Sequence, residues 1–411
     1  MAPELPFRPP VGITSVLVDA SCFSLPYDYS LCDELGRNGC RVVLARSHFR
    51  ASQWTRPASA FEVWNHFYRR SHEAKPAPLL RVPWKLAKVA EHMLDMRRFV
   101  SRLREFQPDV IHFQWLPVPL LDSLYLKQLS AIAPLVFTVH NTDPHGSMMQ
   151  RFHQKLRWAS VFQHFEAIIV HSGFSKQQIV EKNWAQAERI HVIPHGVLDY
   201  YTSLNAPESA MTSSSQVVMM FGNIEAYKGL DVLVRAFALL PQEVRTRTQL
   251  LVAGTPNIDL EPVLKLSRDL GVDSQTIWRL GFVADEDIPE LFRSASVVAL
   301  PYRSIDQSGV LMTAVAFGKA IVASRIGGIP DVISDGVHGI LVHPSDPQDL
   351  AAALRNLLTN PVRRYAMERA TAHLAKTELS WAVSARKTID VYRQIISIAV
   401  SSRITSAVQA R

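Results

Sequence analysis

Residues 301–333, PYRSIDQSGVLMTAVAFGKAIVASRIGGIPDVI, constrain the fold of this chain more than any other stretch. Pro301 ends the apolar run Val297, Val298, Ala299 and Leu300, which reads as a strand exit. Residues 304–309 are too polar for a core, and residues 310–317 are apolar and alanine-rich, as in a short helix. Gly318 fits that helix's C-terminal cap, and residues 320–323 read as a second strand before a glycine pair and another helix start. A glycine-containing loop that opens a helix presents unpaired backbone N–H groups to an anion.

The same alternation runs through the chain. Residues 13–18 form an apolar strand ending in Asp19, residues 27–37 a helix and residues 41–45 a second strand. No Gly-x-Gly-x-x-Gly follows the first strand, which argues against a dehydrogenase. Residues 46–80 read as irregular, aromatic and basic. Residues 82–106 read as one long helix, with Leu86, Val89, Met93, Met96, Val100 and Leu103 at three- to four-residue steps. Its many Lys and Arg residues leave two readings open, a solvated outer face or a basic amphipathic element touching anionic membrane. Further strands at 108–113, 135–139, 165–170 and 190–193 are each followed by polar residues, among them Gln114, His140, His171 and His195. After a polar linker at 201–215, a second series of strands falls at 217–221, 250–253, 277–279, 297–300, 320–323 and 340–342. Helices at 230–240 and 349–358 lie between them, and residues 381–400 form a last amphipathic helix with 401–411 frayed. Strands alternating with helices specify parallel α/β sheets with right-handed crossovers. The expectation is two doubly wound, Rossmann-like domains facing a cleft, over 1–200 and 201–380, followed by the terminal helix at 381–411.

Composition removes other classes. A chain of 411 residues exceeds one ordinary core. Its net charge of +7 is uneven: residues 1–200 hold 23 Lys and Arg against 17 Asp and Glu, and residues 201–411 hold 21 against 20. A basic first half suits an anionic partner, and no nucleic-acid-binding motif accompanies it. Cys22, Cys32 and Cys40 are odd in number and lack metal-ligand spacing, which fits a reducing cytosol. The first residues lack the pattern of a signal peptide, and no apolar run reaches membrane-spanning length, so a cytoplasmic chain is expected.

The stretch FGNIEAYKGLD at 221–231, with LVAG at 251–254, GFV at 281–283, ELF at 290–292, GVHG at 336–339 and residues 301–333, resembles glycosyltransferase family 4. The likeness is specific over 217–360 and collinear over 13–200. It implies the GT-B fold and a retaining, metal-independent enzyme that needs no cofactor and takes a nucleotide-diphosphate sugar as substrate. It also implies an acceptor-binding first domain, a nucleotide-sugar-binding second domain and a terminal helix that crosses back to the first. Lys228 would pair with the donor diphosphate, alongside Gly222 and the backbone of Ser308, Gly309 and Val310. His140 would contact the donor sugar and stabilise charge at the reacting carbon. The family's pair of glutamates, counted back from Gly318, falls on Ile305 and Thr313. Its frequent arginine falls on Asn223, while Gln307 to Leu311 matches a Gln-Ser-Gly-Val-Leu branch. Asp306 would then take a sugar hydroxyl and Thr313 the ribose, with Arg303 or Arg325 supplying charge. The first expectation is therefore a hexosyltransferase acting on a glycan or lipid-linked acceptor in polysaccharide biosynthesis, at the inner face of the plasma membrane. The alternatives are a catalytically weak relative that binds a nucleotide sugar or a partner transferase, and a sugar-nucleotide epimerase.

Overall fold

The computed structural model describes residues 12–48, 58–71, 81–142, 158–204 and 215–409. Contacts divide the chain into two units. The first comprises Met1–Val170, Lys176–Ile193 and Ser384–Arg411; the second comprises His171–Ser175 and Pro194–Val383.

In the first unit the described elements are β1 (Thr14–Asp19), α1 (Leu25–Arg37), β2 (Arg41–Ser47), β3 (Glu62–Phe67), α2 (Arg81–Phe106), β4 (Val110–Phe113), α3 (Pro119–Ser130), β5 (Leu135–Thr138) and β6 (Ala167–Val170). Then come α4 (Gly173–Glu181), whose first residues fall in the second unit, and β7 (Ile190–Val192). The strands form one parallel sheet in the order β3-β2-β1-β4-β5-β6-β7. β4, β5 and β6 are buried along their whole length, because helices cover both faces of a parallel sheet. β3 was hidden in the segment read as irregular. As an edge strand it carries exposed Glu62 and Asn65 beside buried Trp64 and Phe67, and its pairing with β2 shifts register at Arg46/Ser47.

The periodicity of α2 buries Met96, Phe99, Val100 and Leu103 but leaves Leu86, from the same stripe, 66% exposed. Within that helix His92 is buried: its Nε2 lies 2.6 Å from Asp122 Oδ1 and its Nδ1 2.9 Å from the Tyr68 hydroxyl. This polar clamp ties α2 to α3, and its burial interrupts the apolar pattern. All three cysteines are free and buried, and burial pushes the Cys22 thiol up to about 12.

The second unit holds β8 (Gln216–Phe221), α5 (Leu230–Ala238), α6 (Gln242–Arg245), β9 (Thr248–Gly254), α7 (Glu261–Asp269), β10 (Thr276–Leu280), α8 (Ile288–Ser294), β11 (Val297–Leu300) and α9 (Gly309–Ala316). It continues with β12 (Ile321–Ser324), α10 (Ile329–Val332), β13 (Gly339–Val342), α11 (Pro347–Thr359) and α12 (Pro361–Lys376). The sheet is again parallel, in the order β10-β9-β8-β11-β12-β13. α13 (Trp381–Gln409) then starts in the second unit and continues into the first. It reaches nine residues beyond the expected end, since residues 401–409 contain neither Gly nor Pro to stop it. No helix among the described residues is long and apolar enough to cross a membrane.

Both sheets therefore turn around one point, between β1 and β4 in the first unit and between β8 and β11 in the second. Ligands of doubly wound sheets bind outside the carboxyl ends of the strands at such a switch point.

Candidate functional sites at the two switch points

In the second unit β8 runs into Gly222 and β11 into Pro301, so the loops carrying the candidate residues leave the two strands flanking the switch point. Gly229, at φ +69°, begins α5, and a Cβ there would lie 2.1 Å from the carbonyl oxygen of Pro301. Only glycine permits that approach. The Arg303 N–H donates to Tyr227 O at 2.6 Å and its guanidinium to Ala226 O at 2.9 Å, which fixes the turn preceding Gly229.

The turn places Lys228 inside, 6% exposed. Its Nζ would stand 3.1 Å from a Cβ on Gly222, and Val310 Cγ2 3.2 Å from the same point. Gly222, Lys228 and Val310 thus converge, with Gly222 at φ +91° supplying the space. The Lys228 ammonium makes no hydrogen bond or ion pair among the described residues, and the ring of Tyr302 lies 5.9 Å from it. Burial pulls its pKa down to about 8, against an opposing effect of Glu225. A buried cation without an anion is costly, and an anionic ligand relieves that cost.

α9 starts beside it. Ser308 caps the helix, its Oγ accepting from Leu311 N at 3.1 Å. The first amides, those of Gly309 and Val310, face the open helix end, where the macrodipole favours negative charge. Gly318, at φ +60°, closes the helix: its N–H donates to Val315 O at 2.9 Å and Lys319 N–H to Ala314 O at 3.0 Å. The side chain of Gln307 is the unexpected feature. Both its amide atoms are buried and unbonded among the described residues, where a buried amide would ordinarily find partners.

Other candidates are occupied elsewhere. Thr313 is buried and its hydroxyl donates back to Gly309 O at 2.9 Å, within the helix. Arg303 pairs with Asp231 at 2.6 Å and Arg325 with Asp335, so neither guanidinium is a spare charge. Ile305 is buried in the unit's core. Gly327 and Gly328 serve packing, since a Cβ on Gly327 would overlap Ile305 O and Gly328 N–H donates to Asp306 O at 3.2 Å. Asp306 itself is half-buried.

At the first unit's switch point the chemistry is different. His140, following β5, is 9% exposed and lies face to face with Trp115 at 4.9 Å, with Tyr27 edge-on at 4.9 Å. Its Nε2 donates to Gln114 Oε1 at 3.2 Å. Gln114 in turn touches His112 Nε2 at 3.4 Å, and His112 is held by Thr138 Oγ1 and by the Tyr392 hydroxyl, each at 2.7 Å. Tyr392 lies on α13, so the terminal helix anchors a buried polar chain that reaches His140 through Gln114. His112 is fully buried within it, and His140 lies against the Trp115 and Tyr27 rings. In the second unit, burial and the neighbouring His171 drive His195 down to about 3, leaving it neutral, with its Nδ1 2.5 Å from Gly196 O.

Sequence reading overlooked the support beneath Trp115. Its indole N–H donates to Ser24 Oγ at 2.9 Å. The Ser24 hydroxyl lies 3.4 Å from Asp28 Oδ1, and Asp19 accepts from Ser21 N at 3.0 Å and Ser24 N at 3.4 Å. Asp19 and Asp28 are fully buried, and burial raises both carboxyls; the Asp19 charge pushes Asp28 further up, whereas hydrogen bonds from Asp28 and the loop amides oppose the rise at Asp19. The available signal was Asp19 at a strand's carboxyl end, followed by a loop and a helix containing a second acid.

Comparison with known proteins agrees with both halves. The model described as Glycosyltransferase Family 4 matches residues 27–198, and the one described as Glycosyl transferases group 1 matches residues 215–360. A glycosyltransferase from Rickettsia africae superposes with a TM-score of 0.67 at 16% identity, covering 94% of this chain and 99% of that one. Anabaena HepE, solved with UDP and glucose, superposes with a TM-score of 0.66 at 18% identity, covering 93% and 100%. The two glycosyltransferase family models match successive parts of the chain, and the solved structures share its fold, two Rossmann-like parallel-sheet domains of the GT-B type. Among curated proteins, D-inositol 3-phosphate glycosyltransferase of Corynebacterium kroppenstedtii is 32% identical over 248 residues, 56% of this chain and 54% of the relative. The chain spans about half the length of the curated relatives it matches.

Proposed function

We propose that this chain transfers a hexose from a nucleotide-diphosphate sugar to a glycan or lipid-linked acceptor, with retention of configuration and without a metal ion. One observation carries the reading: a buried lysine with no anion among the described residues, beside the open N-terminus of α9. Lys228 and the amides of Gly309 and Val310 neutralise the leaving diphosphate, the charge that must be stabilised for the glycosidic bond to break. Metal-independent transfer follows if these groups carry that charge. The unbonded Gln307 amide supplies a donor and an acceptor for hydroxyls of the donor, and half-buried Asp306 a further acceptor. His140, fixed by Gln114 and Trp115, serves the sugar end of the reaction, as the family resemblance implies. The solved relative with UDP and glucose supports a uridine nucleotide as the first donor to try. A role in cell-surface polysaccharide synthesis at the inner membrane face fits this chemistry and the basic first half.

The departures Ile305 and Thr313 support a second reading, a relative that binds a nucleotide sugar and turns it over poorly. A donor screen separates the two. Calorimetric titration and release of nucleotide diphosphate are measured with a panel of nucleotide sugars and simple acceptors. Binding with turnover supports the transferase, binding without turnover supports the second reading, and no binding of any nucleotide sinks both.

A further inference from the structure

A groove of about 1000 Å³ lies away from both switch points, between β3 and α2, within the first unit. Arg69 and Arg70, just after β3, and Arg98 and Arg102, one turn apart on α2, line it together with Trp84 and Leu94.

The groove's two carboxylates are already engaged. Glu91 accepts from the backbone N–H of Arg70 at 2.7 Å and of Ser71 at 3.0 Å, and Asp95 Oδ2 accepts from Tyr68 N at 2.8 Å. Asp95 meets Arg98 only at 3.5 Å. The guanidinium groups of Arg69, Arg70 and Arg102 form no ion pair among the described residues. Arg69 donates to a backbone carbonyl, Asn65 O, at 3.2 Å, and Arg102 lies over the Trp64 ring at 3.6 Å. Four like charges therefore share a concave surface against two carboxylates that are held by main-chain donors. Water screens the mutual repulsion of Arg69, Arg70 and Arg98, which are exposed, and the groove keeps a net positive field that favours an anion. Trp84, Ala87, Ala90 and Leu94 form the apolar part of the wall, beside His66 and Ser71; Leu94 is 54% exposed, and the buried Trp84 indole N–H has no acceptor among the described residues.

We propose that this groove binds a phosphate monoester, with the arginines gripping the phosphate and Trp84 and Leu94 lying against the organic group that carries it. Planar guanidinium forks match phosphate oxygens in pairs, and an indole N–H adds a further donor. The assignment stands on the first unit alone and does not depend on the donor site. Two sources share this chemistry, a phospholipid headgroup and a soluble phosphate ester.

The test uses the full chain in two arms. Flotation compares phosphatidylcholine vesicles with and without phosphatidic acid, and calorimetry titrates glucose 1-phosphate and inorganic phosphate. Retention by anionic vesicles alone assigns the headgroup; saturable binding of glucose 1-phosphate alone assigns the soluble ester. In either case Arg69→Gln combined with Arg102→Gln weakens binding at least about tenfold, whereas Arg386→Gln, an exposed change on α13, leaves it intact. Should the double variant not fold, Arg70→Glu alone, with a control thermal melt, takes its place. The proposal is overturned if neither arm binds, or if binding survives the arginine substitutions.

Discussion

The two units repeat one strand order, 3-2-1-4-5-6 in their own numbering, the first with an added seventh strand, yet their switch points hold opposite chemistries. In the second unit the crevice is built from a lysine, a glycine and a helix N-terminus. In the first it is built from stacked rings, a histidine and a pair of buried acids that hold a loop. Topology therefore gives each a candidate ligand site, and side chains set the chemistry of each. The second suits a diphosphate. The first suits a neutral or cationic reacting centre near an oriented imidazole.

Substitutions can break this contrast. The largest effect is expected for Lys228→Ala, which removes charge-assisted contacts worth about 1.5–3 kcal/mol and so weakens UDP binding about 10- to 100-fold. Calorimetry reads it, and a melt should show the variant at least as stable, because the desolvated ammonium is gone. An unchanged affinity would remove the diphosphate from this site.

The same lysine predicts a pH dependence. Its folded pKa is depressed to about 8 from the ordinary 10.5. Between those values the unfolded chain binds the proton more readily than the folded one, so stability without ligand rises with pH across the window. Below about 8 both forms are protonated, and the cost of burying the charge is present in full. UDP binding needs the charged form, so affinity should fall by up to about tenfold per pH unit above 8, and this slope should vanish in Lys228→Ala.

His140→Ala probes the other unit. Transfer should drop roughly tenfold, about 1.4 kcal/mol at the transition state, while UDP affinity stays put. A loss of UDP affinity in this variant would erase the division of labour between the units.

Gln307→Leu refines the donor site. Removing a buried unbonded amide should raise the melting temperature of the free protein, and affinity for a nucleotide sugar should fall more than affinity for UDP. Equal losses for both ligands would place Gln307 at the nucleotide and not at the sugar. The smallest effect belongs to Ser308→Ala, where loss of the α9 cap costs about 1 kcal/mol in a denaturant melt.

Much of this was legible in local sequence. Residues 217–221, 297–300 and 320–323 announced buried strands because a parallel sheet demands unbroken apolar runs, and Gly318 announced a helix end because its left-handed conformation suits glycine. Edge strand β3 was illegible for the complementary reason, since one open edge lets polar residues alternate irregularly. His92 and the Asp19–Asp28 pair were illegible because a buried polar group is explained only by partners far away in the chain.

By itself, then, the sequence determined two α/β series, the glycine and lysine at the second switch point, and the family they resemble. Only the tertiary structure decided which charges are available. Arg303 and Arg325 looked like replacements for the missing arginine, but Asp231 and Asp335 hold them. Lys228, one basic residue among 44, became distinctive because folding buried it without an ion pair among the described residues, Glu225 offsetting only part of the effect of burial. Pairing and desolvation depend on distances between segments remote in sequence, and those distances exist only once the chain has folded.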